Sequence, residues 1–564
     1  MTHLRRLAAL YPWSVEPSEE LAEAVAFVES AHDAETIVRA GYVAGALAAL
    51  LSTPLLLAPL PLWSSLVAIL AASLGVVHAI HSGPHLLAAV RRTRALGDTP
   101  ALIGRIVLRM QIQPATESAV RFAAETGQGP LASSLGAHVD RAAGTPRSGL
   151  LAFATEWADR FPALRRSAHL LAAAENAPDG ERSRTLDRAF AAVLDGTRDG
   201  MAEFTASIRG PATGLYAFGV MLPLALVALV PAATIAGYPV SIWFFVVVYN
   251  VVLPTLLVVA GAWLLVRRPV AFPPPTVTRA HPDVPDRLWK PLVFGLVVGV
   301  GAYLVTPALG PAALAPIAAT GLALGIALTG VYYPVAAVRQ HVRDVEAHLV
   351  DALYLVGRQV AEGEAVESAI ALAGDRVPAE TGDVFADAAG LQRRLHLGVR
   401  DAFLGRYGSL ADVPSPRAHS TASLLAIAAD EGQPAGRAVV SMADHLEELQ
   451  EVERETRREL ATVTGTLDNT ASFFGPMVAG ATVALAGGIV GSGAEAADAT
   501  TLPTDALGLV VGVYVLTLAV VLTTISIGLR HGLDRSLVGY RVGRALSVAT
   551  PIYVCSVIVA STFV

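Results

Sequence analysis

About nine runs of apolar residues, each near the twenty needed to cross ~30 Å of hydrocarbon as a helix, decide what this chain can become. They fall at about 40–60, 62–80, 213–236, 240–266, 291–308, 311–333, 472–492, 507–529 and 545–564. Mean hydropathy of +0.53 and 53% hydrophobic residues agree with a polytopic membrane protein. Several runs contain Pro or Gly, which lipid-embedded helices tolerate better than soluble ones do. The expected fold class is therefore all-α: a polytopic helical membrane protein with soluble helical domains hung between its spans.

The runs come in a repeating order, and the repeat is visible in short matched pieces roughly 250 residues apart. Thr116-Glu117-Ser118-Ala119-Val120 answers Val366-Glu367-Ser368-Ala369-Ile370. Ser167 to Ala172 answers Thr421 to Ala426, and Phe218-Gly219-Val220-Met221 answers Phe474-Gly475-Pro476-Met477. The order and near-constant offset imply an internal duplication. It divides the chain into an N-terminal segment (1–38), spans 1–2 (39–80), a first soluble block (81–212) and spans 3–4 (213–266). A Pro/Arg-rich linker (267–290), spans 5–6 (291–333), a second soluble block (334–471) and spans 7–9 (472–564) follow. Pro273-Pro274-Pro275, Pro282 and Pro285 make the linker read as a stiff spacer.

Arginine placement sets the expected orientation. Arg267, Arg268, Arg279, Arg287 and Lys290 crowd the linker, and Arg530, Arg535, Arg541 and Arg544 crowd the loop between spans 8 and 9 against a single acid, Asp534. The loop between spans 7 and 8 has no Arg or Lys and holds Glu495, Asp498 and Asp505, while connections near Pro61, Gly237 and Gly310 are uncharged. These loops put the N-terminus and both blocks in the cytoplasm and the C-terminus outside a cell membrane. The first 38 residues carry Glu16, Glu19, Glu20, Glu23, Glu29, Asp33 and Glu35 without a long apolar core, unlike a cleaved signal peptide.

Both blocks show helical spacing of apolar residues, as at Val439, Met442, Leu446 and Leu449, and are expected to be helical bundles. The first is slightly basic and the second acidic. Its run from Glu447 to Glu459 is highly charged. One reading is a solvated helix face with i,i+4 pairs such as Glu453–Arg457; the other is a docking surface for a partner, built from Glu447, Glu448, Glu451, Glu453, Arg454, Arg457 and Arg458.

Catalytic chemistry is not legible. Lys290, the sole lysine, precedes Pro291 and follows no glycine-rich loop, so the chain lacks a P-loop. Cys555 is the one cysteine, and His78, His81 and His85 have no acidic neighbours in sequence and read as interfacial rather than metal-binding. A net charge of −7 gives no reason to expect nucleic acid. The spans hold no Asp, Glu, Lys or Arg in their cores, which weakens an ion-coupled transporter. No enzyme activity, metal or cofactor is expected.

Several segments carry a resemblance. His348-Leu349-Val350-Asp351-Ala352-Leu353, Ala361-Glu362-Gly363-Glu364-Ala365-Val366-Glu367-Ser368-Ala369-Ile370, Leu397-Gly398-Val399-Arg400-Asp401-Ala402-Phe403 and Asp430-Glu431-Gly432-Gln433-Pro434 precede a long charged helix entering a span near Phe474-Gly475-Pro476-Met477. This order resembles the type II secretion system F-domain family, in particular its archaeal pilus and archaellum platform members with two F domains. The opening Leu10-Tyr11-Pro12-Trp13 is similar to haloarchaeal members. The resemblance implies a membrane platform that binds a cytoplasmic secretion ATPase and helps move pilin subunits from the bilayer into a filament. The expected partners are then that ATPase, pilins, the lipid bilayer and a second copy of the chain as a homodimer. The rival expectation is a secondary transporter built from two parallel repeats.

Overall fold

The computed structural model describes residues 2–28, 30–53, 56, 62–127, 129–145, 148–235, 241–270, 272, 274–278, 281–285, 287–431, 434–493 and 504–563, and every regular element among them is helical. The expected outer-loop acids Glu495 and Asp498, the turn residues Pro61 and Gly237, and Glu29, Pro273, Arg279, Gly432 and Gln433 lie outside the described residues. The chain divides into two compact units, residues 1–94 and 95–564.

The first unit opens with α1 (Thr2–Ala8), α2 (Glu19–Phe27), α3 (Ala34–Leu51) and most of α4 (Leu62–Gly97). Ser18 starts α2 because its hydroxyl accepts the Leu21 amide at 3.3 Å, and Glu19 and Glu20 complement the dipole in the first turn. The apolar residues Leu21 and Val25 then pack on Ile37 and Val38 of α3. Arg39 donates to the carbonyl of Tyr11 at 2.6 Å, and Tyr11 stacks on Tyr42 at 5.5 Å. The acidic N-terminal segment is thus folded against its first span. His81 bonds the Val38 carbonyl at 3.1 Å and His78 bonds Ser82 at 3.2 Å. The first bond ties α4 to α3 and the second lies within α4, and among the described residues no group of three metal-ligating side chains converges.

In the second unit the first head comprises α5 (Thr99–Ile112), α6 (Thr116–Thr126), α7 (Pro130–Ala142), α8 (Gly149–Ala158), α9 (Pro162–Glu175) and the long α10 (Asp179–Tyr216). A π-helical turn over Ala217–Met221 joins α10 to α11 (Leu222–Ala228). Then come α12 (Val230–Ile235), α13 (Ile242–Val247), a second π turn over Val248–Val252, and α14 (Leu253–Val266). Two spans follow, α15 (Trp289–Leu309) and α16 (Ala315–Glu346). The second head comprises α17 (Leu349–Ala361), α18 (Val366–Arg376), α19 (Ala379–Leu395), α20 (Val399–Leu404), α21 (Pro416–Glu431) and the long α22 (Pro434–Asn469). Another π turn over Thr470–Phe474 leads into α23 (Gly475–Gly493), followed by α24 (Thr504–His531) and α25 (Arg535–Ser561).

The matched sequence pieces open α6 and α18 and lie inside α9 and α21, each of which begins at a proline, Pro162 and Pro416. The third match shifts. Pairing Phe218 with Phe474 sets Pro476 opposite Val220, whereas the π turns pair Pro476 with Pro223, two residues beyond each turn. Proline has no amide hydrogen and its ring crowds the carbonyl four residues back, so a π turn just before it relieves the ladder at the same place in both copies. In the first copy that carbonyl belongs to Gly219, and the buried Tyr514 hydroxyl of α24 donates to it instead.

Among the described residues, eight helical stretches are long and apolar enough to cross a membrane: Ala34–Leu51, Gly180–Ala228, Ile242–Val266, Trp289–Leu309, Ala312–Ala361, Gly436–Gly487, Asp505–His531 and Arg535–Ser561. Eight of the nine expected spans fall on them. The remaining one, 62–80, is helical as the first half of α4, which is not among the eight. The protein is thus a multi-pass helical membrane protein. The block boundaries expected at 81 and 334 lie within unbroken helices, with Pro84 inside α4 and Pro334 inside α16 at corresponding places.

The linker expected as a stiff spacer is instead packed down. Val284 is buried with Val335 and Val338 of α16, Arg339 donates to the Pro275 carbonyl at 3.1 Å, and His281 bonds the Asp412 carbonyl at 2.9 Å. Between spans, α16 and α25 approach backbone to backbone. A Cβ on Gly543 would stand 2.6 Å from the Thr329 amide nitrogen, a contact only small residues allow.

Candidate functional site

The charged run singled out in the sequence lies on α22, ahead of the apolar stretch that enters the membrane. Glu447, Glu448, Glu451, Arg454 and Arg458 are exposed, Arg457 is half-buried and Glu453 is buried. The structure therefore removes Glu453 from the surface it was expected to help form. Its carboxylate bonds Arg417 at the start of α21 and Arg457 one turn along α22. Arg417 also reaches Glu346 at the end of α16, at 3.5 Å, and Ser415 donates to that same carboxylate. Burial alone would raise the Glu453 carboxyl, but Arg417 and Arg457 outweigh it and hold it below the usual range. This network ties entry helix, α21 and exit helix at the base of the second head.

The exposed acids form a ridge with Tyr354 of α17. The Tyr354 hydroxyl donates to Asp444 and lies 3.3 Å from Glu447. Burial raises the Glu448 carboxyl by more than His445 and Arg198 lower it. Arg454 folds back to the Gln450 carbonyl at 3.2 Å. Glu447, Glu448 and Glu451 are exposed on α22, Glu447 beside Tyr354 and Glu448 within electrostatic reach of Arg198 and Asp187 of the first head.

Another face of α22 is already occupied by the first head. His445 packs on Phe190 of α10 with ring centroids 4.2 Å apart and lies 3.7 Å from Asp187, while Glu455 pairs with Arg198 at 3.6 Å. On α5, Gln111 donates to Ser441 at 2.9 Å, Arg105 donates to Ser420 at 2.7 Å, and Leu108 enters the core of the second head. The periodicity of α22 revealed an apolar stripe; it could not reveal that a charged face would pair with the other copy.

In the sequence the basic residues of the linker and of the loop between spans 8 and 9 read only as an orientation signal. The structure gives several of them bonds. Arg268 is buried and donates to the Gly528 carbonyl at 2.8 Å and the Arg530 carbonyl at 3.1 Å, both in the last turn of α24. Asp534 caps α25 by accepting the Leu537 amide at 2.9 Å and pairs with buried Arg339 at 3.0 Å. Arg530 pairs with Asp468 of α22 at 3.1 Å. The only hint in the sequence was that Asp534 is the sole acid in an arginine-rich loop. Compared with protein-family models, with curated proteins and with solved structures, the chain matches none.

Proposed function

We propose that this protein is the membrane platform of a type IV pilus-like assembly machine, with both heads in the cytoplasm. In this reading a cytoplasmic secretion ATPase engages the heads, and the spans pass the resulting motion to pilin subunits in the bilayer. The observation that carries the reading is the repeated mechanical connection. In each copy the longest head helix, α10 or α22, runs through a π turn into an apolar helix, so displacement of a head moves a span directly. The absence of a P-loop in the sequence fits a division of labour in which a partner hydrolyses ATP.

The docking surface in this reading is the exposed ridge Glu447, Glu448 and Glu451, with Arg454 and Arg458 beside it and Glu453 and Arg457 supporting it from within. Replacing the three glutamates with arginine should abolish co-purification of the ATPase while leaving the melting profile of the platform unchanged. Undiminished co-purification at both low and high salt would remove this ridge as the dock.

A further inference from the structure

Where α15, α16 and α25 meet, a groove of about 440 Å³ opens near the ends of the spans that lead to the second head. Its walls are apolar: Phe294 from α15, Ile326 from α16 and Val548 from α25, with Phe294 61% exposed. One cation, Arg544 of α25, stands in this lining beside Tyr333. Helix α25 contains no Asp or Glu, nor does α15, and on α16 the first acid is Asp344, eleven residues beyond Tyr333. The Arg544 guanidinium lies over the ring of Tyr540, 5.9 Å from its centroid. Arg544 is itself exposed, so its guanidinium stands open at the rim of an apolar groove, where an anion carried by a ligand can pair with it. The exposed rings of Trp289 and Tyr333 mark the depth at which aromatic side chains meet lipid headgroups. Arg541, one turn toward the head on the same helix, is exposed and offers a second positive charge.

We infer that this groove is a binding site for an anionic glycerophospholipid, with an acyl chain along Phe294, Ile326 and Val548 and the headgroup phosphate on Arg544. A charged head and an apolar tail are what a wall of this composition can satisfy together; free phosphate leaves the apolar part empty, and a purely apolar partner helix leaves the arginine unpaired. The walls α15 and α16 have counterparts in the first copy, but α25 follows the last element of the repeat and has none. The site is therefore built once, by the unpaired span, and it stands independently of the platform reading.

The test is native mass spectrometry of the full chain in detergent, titrated with phosphatidylglycerol, with phosphatidylcholine of the same acyl chains, or with inorganic phosphate. Wild-type protein should retain phosphatidylglycerol about tenfold better than phosphatidylcholine. Arg544→Gln should remove that preference, while Arg535→Gln, on the same helix, should keep it. Val548→Trp, which retains the arginine and fills the groove, should lower retention of both lipids and serves if Arg544→Gln fails to fold. Equal retention by wild type and these variants overturns the proposal, as does competition by phosphate alone, which would mean a simple anion site. A photo-reactive residue at position 326 should label lipid; in cells, labelling of a protein instead would assign the groove to a partner helix and overturn it.

Discussion

Glu453 shows how a single residue can be misjudged by its neighbours in sequence. It sits in a run of charges that reads as a solvated face, and Glu451, Arg454 and Glu455 around it are indeed exposed. Its own position, however, points between α21 and the end of α16, where Arg417 needs a partner. Removing one member of a buried pair leaves a desolvated charge, which typically costs about 3–5 kcal/mol. Glu453→Gln should therefore lower the thermal unfolding midpoint of the detergent-solubilised protein clearly, whereas Glu451→Gln should leave it nearly unchanged. Equal effects from the two substitutions would contradict the burial assigned to Glu453.

Elements were the most legible scale. Runs of apolar residues placed eight of the nine expected spans on long helices, and helical periodicity marked both soluble blocks as helical without bounding their helices. Both signals depend on a residue's near neighbours along the chain. The third repeat match went astray by about one turn because Phe-Gly-x-Met resembles itself more strongly than the π turns do. A π turn has no residue pattern of its own; only the following proline betrays it. Packing between elements was less legible still. Glycines are scattered through every span, yet a few hold helix backbones together. Gly543→Val should push α25 off α16, because the atoms its side chain would meet are backbone nitrogen of Thr329 and carbonyl oxygen of Gly325, which cannot rotate away. Overpacking of this kind costs about 1–3 kcal/mol. Faster trypsin cleavage in the arginine-rich connection before α25 would report the loosened helix.

At the scale of the whole molecule, the heads are joined by groups that no single copy explains. Asp98, at the start of α5, faces Arg105 of its own helix and Arg417 of the second head, yet its carboxyl is pushed up to about 6 because burial outweighs both cations. A carboxyl raised above its ordinary value stabilises the fold when protonated. That contribution is complete below about 4, the ordinary Asp range, and is lost as pH rises through about 6. Asp98→Asn should flatten the dependence of the melting midpoint on pH between about 4 and 7, and raise the midpoint at neutral pH. An unchanged pH profile would mean that Asp98 is solvated at this junction.

The sequence by itself determined that the chain is helical and that it carries spans enough for a multi-pass membrane protein. Apolar length and periodicity are local properties, legible from each residue's neighbours along the chain. Tertiary structure alone decided that the linker packs onto α16, that Glu453 supports the second head from within, that one face of α22 belongs to the first head, and that Arg544 stands in an apolar groove. Each of these depends on which distant segment lies within a few ångströms, and such proximity is set by how the helices pack.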